Sequence, residues 1–166
     1  MAGLPPSAQV PVLIADLEAA KSSFHARVDT LPQSGWKKTS ANPPWTNGQV
    51  LFHITLAFIL MPFLVPLART FGRLPPIFSR AFAAILDVGT GPFNWANRLG
   101  PTAASPIYNR ERLLRKYDAL HAYAMRALSN LDPTELHRGM FYPRKWDPMF
   151  RGYMTVTTSS GIPPCT

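Results

Sequence analysis

The sequence predicts an all-α fold, a helical bundle, on three observations. Apolar residues recur at the three-and-four spacing of a buried helical face in two separate stretches, Leu13 to Leu31 and Leu113 to Leu128. A third stretch, residues 50–68 (VLFHITLAFILMPFLVPLA), is apolar all round and begins at a helix-capping signature. The 166 residues are 46% hydrophobic and only 16% charged, enough apolar material for one core. The expected organisation is a bundle domain over residues 1–155, with an insertion at 69–106, followed by a disordered tail at 156–166.

Pro11 suits the first position of a helix, where its missing N–H costs nothing, so the first helix is expected to run from there to about Thr30. Its buried stripe is Leu13, Leu17, Phe24, Val28 and Leu31, interrupted at Lys21. Glu18, Ser22, His25 and Asp29 share the opposite face, which makes His25 a solvent-exposed residue.

The stretch LPQSGWKKTSANPPWTNGQ is a loop dense in turn formers. Thr46, with Gln49 three residues on, forms a capping box: the hydroxyl accepts from the Gln49 N–H and the Gln49 side chain reaches back, so the second helix begins near Asn47. Trp45, just outside, is expected to staple onto an apolar residue of the first turns. The insertion reads as one short amphipathic helix over about residues 76–87 and a Gly/Pro/Asn-rich return, VGTGPFNWANRLGP. No GxGxxG or GxxxxGK spacing occurs, so phosphate cradling has no support.

Residues 109–131 form the clearest amphipathic helix, with Leu113, Tyr117, Leu120, His121, Ala124 and Leu128 on one stripe. An aromatic connector, LHRGMFYPRKWDPMFRGYMT, follows Asp132 and Pro133. The final VTTSSGIPPCT has neither periodicity nor a core-forming run. No internal repeat is visible, which argues against a solenoid.

A net charge of +8 raises the question of an anionic partner. The cations are scattered over several segments, among them Arg69, Arg73, Arg80, Arg98, Arg110, Arg112, Arg115, Lys116, Arg144, Lys145 and Arg151, without the run of a basic tail. The expectation is a solvated basic surface and no nucleic-acid partner. Cys165, the single cysteine, forms no internal disulfide, and the opening MAGLPPSAQV lacks a positive segment followed by an apolar one. A cytoplasmic location is the expectation. Residues 50–68 carry no formal charge over about the ~20 residues that span a bilayer, which keeps membrane association as an alternative; His53, Pro62 and Pro66 stand against it.

The run W-T-N-G-Q-V-L-F-H at residues 45–53 places His53 about two turns inside a capped helix, among apolar residues. With Trp45, Thr46, Gln49, Val50, Leu51 and His53 in that order, and with Trp146 to Thr155 like the lead into a last helix, the chain resembles the DinB-like superfamily over nearly its whole length. The resemblance implies an up-down-down-up bundle of four helices and a divalent metal, zinc or nickel, held by three histidines. One would come from the second helix and two from the last. It also implies metal-dependent hydrolysis or transfer of low-molecular-weight thiols, with a metal-bound water acidified into a nucleophile.

This sequence departs from that pattern. Only residues 156–166 follow Thr155, and none is a histidine, so the last helix is expected to be short or missing and the metal site incomplete. His121, inward on its stripe, is a candidate to join His53 as a second ligand, and His137 lies in the connector with Glu135 nearby, so a two-histidine site with a carboxylate is a further arrangement. The competing expectation for His53 and His121 is a hydrogen-bonded core residue. Cys165 has no base placed beside it, and no G-x-S-x-G is present for a serine hydrolase.

Three readings follow: a DinB-like protein with an incomplete metal site, a metal-dependent hydrolase or thiol transferase using His53, and a membrane-associated protein anchored through residues 50–68. A bundle lacking its last helix would also expose an apolar groove, which predicts a homo-oligomer formed through the open face.

Overall fold

Proline opens the first helix earlier than the sequence suggested. In the computed structural model, which describes residues 5–41, 43–143, 145 and 153–155, α1 runs over Pro6–Thr30 behind Pro5. Pro11 therefore lies inside the helix. It cannot donate to the Ser7 carbonyl, but Ser7 is exposed, so water can serve that group and the helix continues. Leu13, Leu17, Phe24 and Val28 form the buried stripe as expected, and Lys21 leaves it by reaching Asp118.

The second helix, α2 (Asn47–Phe71), starts at the expected capping box: Gln49 N donates to Thr46 Oγ1 at 3.3 Å, and Thr46 N donates to Gln49 Oε1 at 2.8 Å. Gly48 is required there because Trp36 packs onto it, with the indole Nε1 2.5 Å from where a Cβ would stand. Leu51, Phe52, Thr55, Phe58, Met61 and Ala68 are buried. The Thr55 hydroxyl is satisfied by donating to the Leu51 carbonyl at 3.0 Å.

The insertion holds two helices rather than one. Pro75 and Pro76 start α3 (Pro76–Val88), Gly89 alone links it to α4 (Thr90–Ala104), and the stretch expected as an irregular return is thus helical. Its prolines fall near the ends: Pro92 sits in the first turn, where an N–H would be unpaired in any case, and Pro101 in the last. Both helices rest on α2.

Asn109 caps α5 (Arg110–Ser129), its Oδ1 accepting from Arg112 N at 2.9 Å. Leu113, Tyr117, His121, Ala124 and Leu128 are buried along it, and α5 packs against both α1 and α2. These three helices hold the core, in which the Tyr117 ring stacks on Phe24 at 3.9 Å between centroids and meets the Phe58 ring at 5.0 Å.

A short 3-10 turn over Pro133–Glu135 leads to a feature the all-helical reading did not contain. Strand β1 (Gly139–Phe141) pairs antiparallel with β2 (Tyr153–Thr155), with Met140 opposite Met154 and both side chains buried. Gly139 is needed because a Cβ there would collide with the Met154 carbonyl oxygen. Most of the connector expected to lead into a last helix, and the tail with Cys165, lie outside the described residues.

Candidate functional site

The cap that begins α2 sets the position of His53 two turns later. Its ring is half-buried and lies 4.8 Å from the Trp45 ring, tilted by 41°. The Trp45 ring leans on His53 while its Nε1 donates to the Arg98 carbonyl of α4 at 3.3 Å, so the insertion closes over the start of α2. His53 Nδ1 is buried without a hydrogen-bond partner, and burial holds the imidazole below its usual pKa. A neutral ring with an orphaned nitrogen is one donor suited to a transition metal.

The other sequence candidates lie in different surroundings. His121 is 2% exposed, and its Nε2 lies 3.1 Å from the Leu17 carbonyl, which can only accept, so Nε2 carries the proton. It stacks on Tyr117, whereas His53 leans on Trp45. His25 is not the solvent-exposed residue its helix face suggested: it is half-buried, with Nε2 2.8 Å from Asp118 Oδ1. Asp118 explains the difference, because it projects from α5 toward α1 and draws in Lys21, 3.8 Å away, as well. His137 is exposed.

Glu135, grouped with His137 as a candidate in the connector, anchors a different constellation. Its buried carboxylate takes Arg73 Nη2 at 2.6 Å and Arg138 Nη1 at 2.9 Å on Oε1, and Arg69 Nη2 lies 2.5 Å from Oε2. The Arg69 contact is a close ion pair rather than an aligned hydrogen bond, since Oε2 and Arg69 Nε are both without hydrogen-bond partners. The hydrogen bond from Arg73 and the contacts from Arg69 hold the carboxyl below its ordinary pKa despite burial. The reading of the cations as a scattered, solvated surface missed this convergence. Its local signals are Arg69 and Arg73 one turn apart across the end of α2, and Glu135 with Arg138 three residues on.

Do these donors fit the divalent metal that the resemblance implies? Among the described residues no group of three or more His, Cys, Asp or Glu is placed to hold a metal ion. His53 and His121 are two donors at most, and Glu135 is neutralised by arginine; this set does not fit a three-histidine centre. A cleft of about 360 Å³ between α1 and the start of α2 is walled by Arg27, Leu31, Ser40, Asn47, Val50 and Ile54, among others, and His53 is not in its walls.

The fold and site define a class: a helical bundle in which a capped second helix carries a half-buried histidine, one ring nitrogen unsatisfied, against a tryptophan. The sequence matches the DinB superfamily over residues 16–159, and the chain belongs to that superfamily. No curated protein and no solved structure matches it.

Proposed function

We propose that this chain is a DinB-like protein with an incomplete metal site, of which His53 is the remaining donor, rather than a metal-dependent hydrolase or thiol transferase. The observation that supports the reading is that, among the described residues, no group of three or more His, Cys, Asp or Glu is placed to hold a metal ion, while His53 Nδ1 is buried without a partner. A resident catalytic metal needs about three protein ligands to leave an open position for water.

Calorimetric titration of the full chain with zinc and with nickel, beside His53→Ala, tests this. The expected result is no stoichiometric binding at micromolar protein for either. Tight one-to-one binding that His53→Ala abolishes would overturn the proposal and favour the hydrolase or thiol-transferase alternative.

A second reading, association with a membrane through residues 50–68, draws support from α2 itself. That helix has a mean hydropathy of 2.3 over an 18-residue window, of which 28% is buried by the rest of the protein. Composition and length alone favour it, and a core helix shares both.

A further inference from the structure

Residues 76–104 present apolar side chains that the rest of the described chain leaves uncovered. On α3, Ile77, Ala81, Ala84, Ile85 and Val88 recur at helical spacing and all are exposed, Ile85 at 69% and Val88 at 86%. On α4, Trp95 is 69% exposed and Leu99 is exposed one turn further on. Gly89, the single residue between the helices, places Val88 at the corner where they meet. The exposed charged side chains of this pair are Arg98 and Arg80, the latter with its guanidinium 4.5 Å over the Phe141 ring of β1; its one carboxylate, Asp87, is half-buried.

We propose that the α3–α4 pair docks peripherally on an anionic lipid surface. Val88, Ile85, Ile77 and Trp95 would enter the headgroup boundary, while Arg80 and Arg98 meet lipid phosphates. Two helices with apolar outer stripes, an exposed tryptophan and arginines as their exposed charges carry the features of an interfacial element. Such an element lies on the bilayer without spanning it, and α3 is too short to span.

Charge decides between this occupant and a second copy of the chain. An isologous dimer through this face would bring Arg80 and Arg98 of each copy against a patch with no exposed carboxylate. It would also bring two molecules of net charge +8 together. An anionic bilayer offers both the apolar phase and the countercharge.

Co-sedimentation of the full chain with phosphatidylcholine vesicles, and with vesicles containing about one-third phosphatidylserine, tests the proposal. The expected outcome is association with the anionic vesicles at least about tenfold stronger than with the neutral ones, weakened by high salt and released by a carbonate wash. Val88→Glu should lower it roughly tenfold with unchanged far-ultraviolet dichroism, since Val88 is exposed. Arg98→Gln, which leaves the carbonyl bonded to Trp45 in place, should lower it as well and decides the matter if Val88→Glu misfolds.

Four results would overturn the proposal. The first is absence of association with anionic vesicles, including the case where the chain instead forms a dimer that Val88→Glu dissolves. The second is equal association with neutral vesicles. The third is association untouched by Val88→Glu and Arg98→Gln. The fourth is retention through the carbonate wash, which would assign the membrane contact to α2.

Discussion

At His53 two effects of similar size oppose each other. The ring gains contact with the Trp45 indole, worth about 0.5–1.5 kcal/mol for an aromatic pair, while its buried Nδ1 forfeits about 1–3 kcal/mol for want of a partner. His53→Leu removes both, so at neutral pH its stability should lie within about 1 kcal/mol of the parent. Acid separates the two proteins. The folded pKa of His53 is lowered from 6.5, so the unfolded chain binds the proton first and the parent loses stability as pH falls below 6.5 toward the folded value. The leucine variant lacks that part of the slope. Urea unfolding at neutral pH and near pH 5.5 measures both; a neutral-pH loss well beyond 2 kcal/mol would mean that Nδ1 has a partner in solution.

The elements were legible in the sequence where local chemistry fixes them. Thr46 and Gln49 satisfy each other across three residues, and the stripes of α1 and α5 need only a 3.6-residue period, so each can be read without knowing what packs on it. The helix α4 was not legible, because Gly91, Pro92, Asn94, Gly100 and Pro101 argue against a helix by propensity. Its packing on α2 and the Trp45 bond to Arg98 are tertiary facts. The partners of His25 and His121 were hidden for the same reason: Asp118 lies 93 residues from His25, and Leu17 lies 104 from His121. At α2, the local and the tertiary contributions can be compared directly. Thr46→Ala removes one cap bond and should cost about 1 kcal/mol. Gly48→Ala improves helix propensity by about 1 kcal/mol yet drives a methyl group toward the Trp36 indole, 2.5 Å from Nε1, and overpacking of about 1–3 kcal/mol should win. Thermal melts of both variants rank them; a Gly48→Ala protein more stable than the parent would show that Trp36 yields at little cost.

Across the whole molecule, Glu135 ties distant segments together. Arg69 stands in the last turn of α2 and Arg73 just beyond its cap, Arg138 precedes β1, and Glu135 closes the turn between α5 and that strand. The carboxylate is 7% exposed, but its cover is the arginines, which themselves reach solvent, so water screens the cluster. We therefore expect Glu135→Gln to cost about 1–2 kcal/mol at neutral pH, at the lower end for hydrogen bonds to a charged group. The pH dependence gives the sharper signature. Because the folded pKa of Glu135 lies below 4.5, the unfolded chain takes up its proton first; the stabilisation is complete above 4.5 and disappears as pH falls through the folded value. On the alkaline side the sign reverses. Burial, aided by the charge of Asp118, pushes the Tyr117 phenol up to about 12, so the unfolded chain ionises first near 10 and stability falls as pH rises from there toward 12. A melting profile against pH should then fall in the parent below 6.5 through His53, again below 4.5 through Glu135, and on the alkaline side above 10; Glu135→Gln should flatten the acid shoulder below 4.5 while leaving the alkaline one in place. An acid shoulder unchanged in Glu135→Gln would move the acid sensitivity to another carboxylate. Asp132, held below its usual pKa by the Thr134 N–H and hydroxyl, would be the first to replace next.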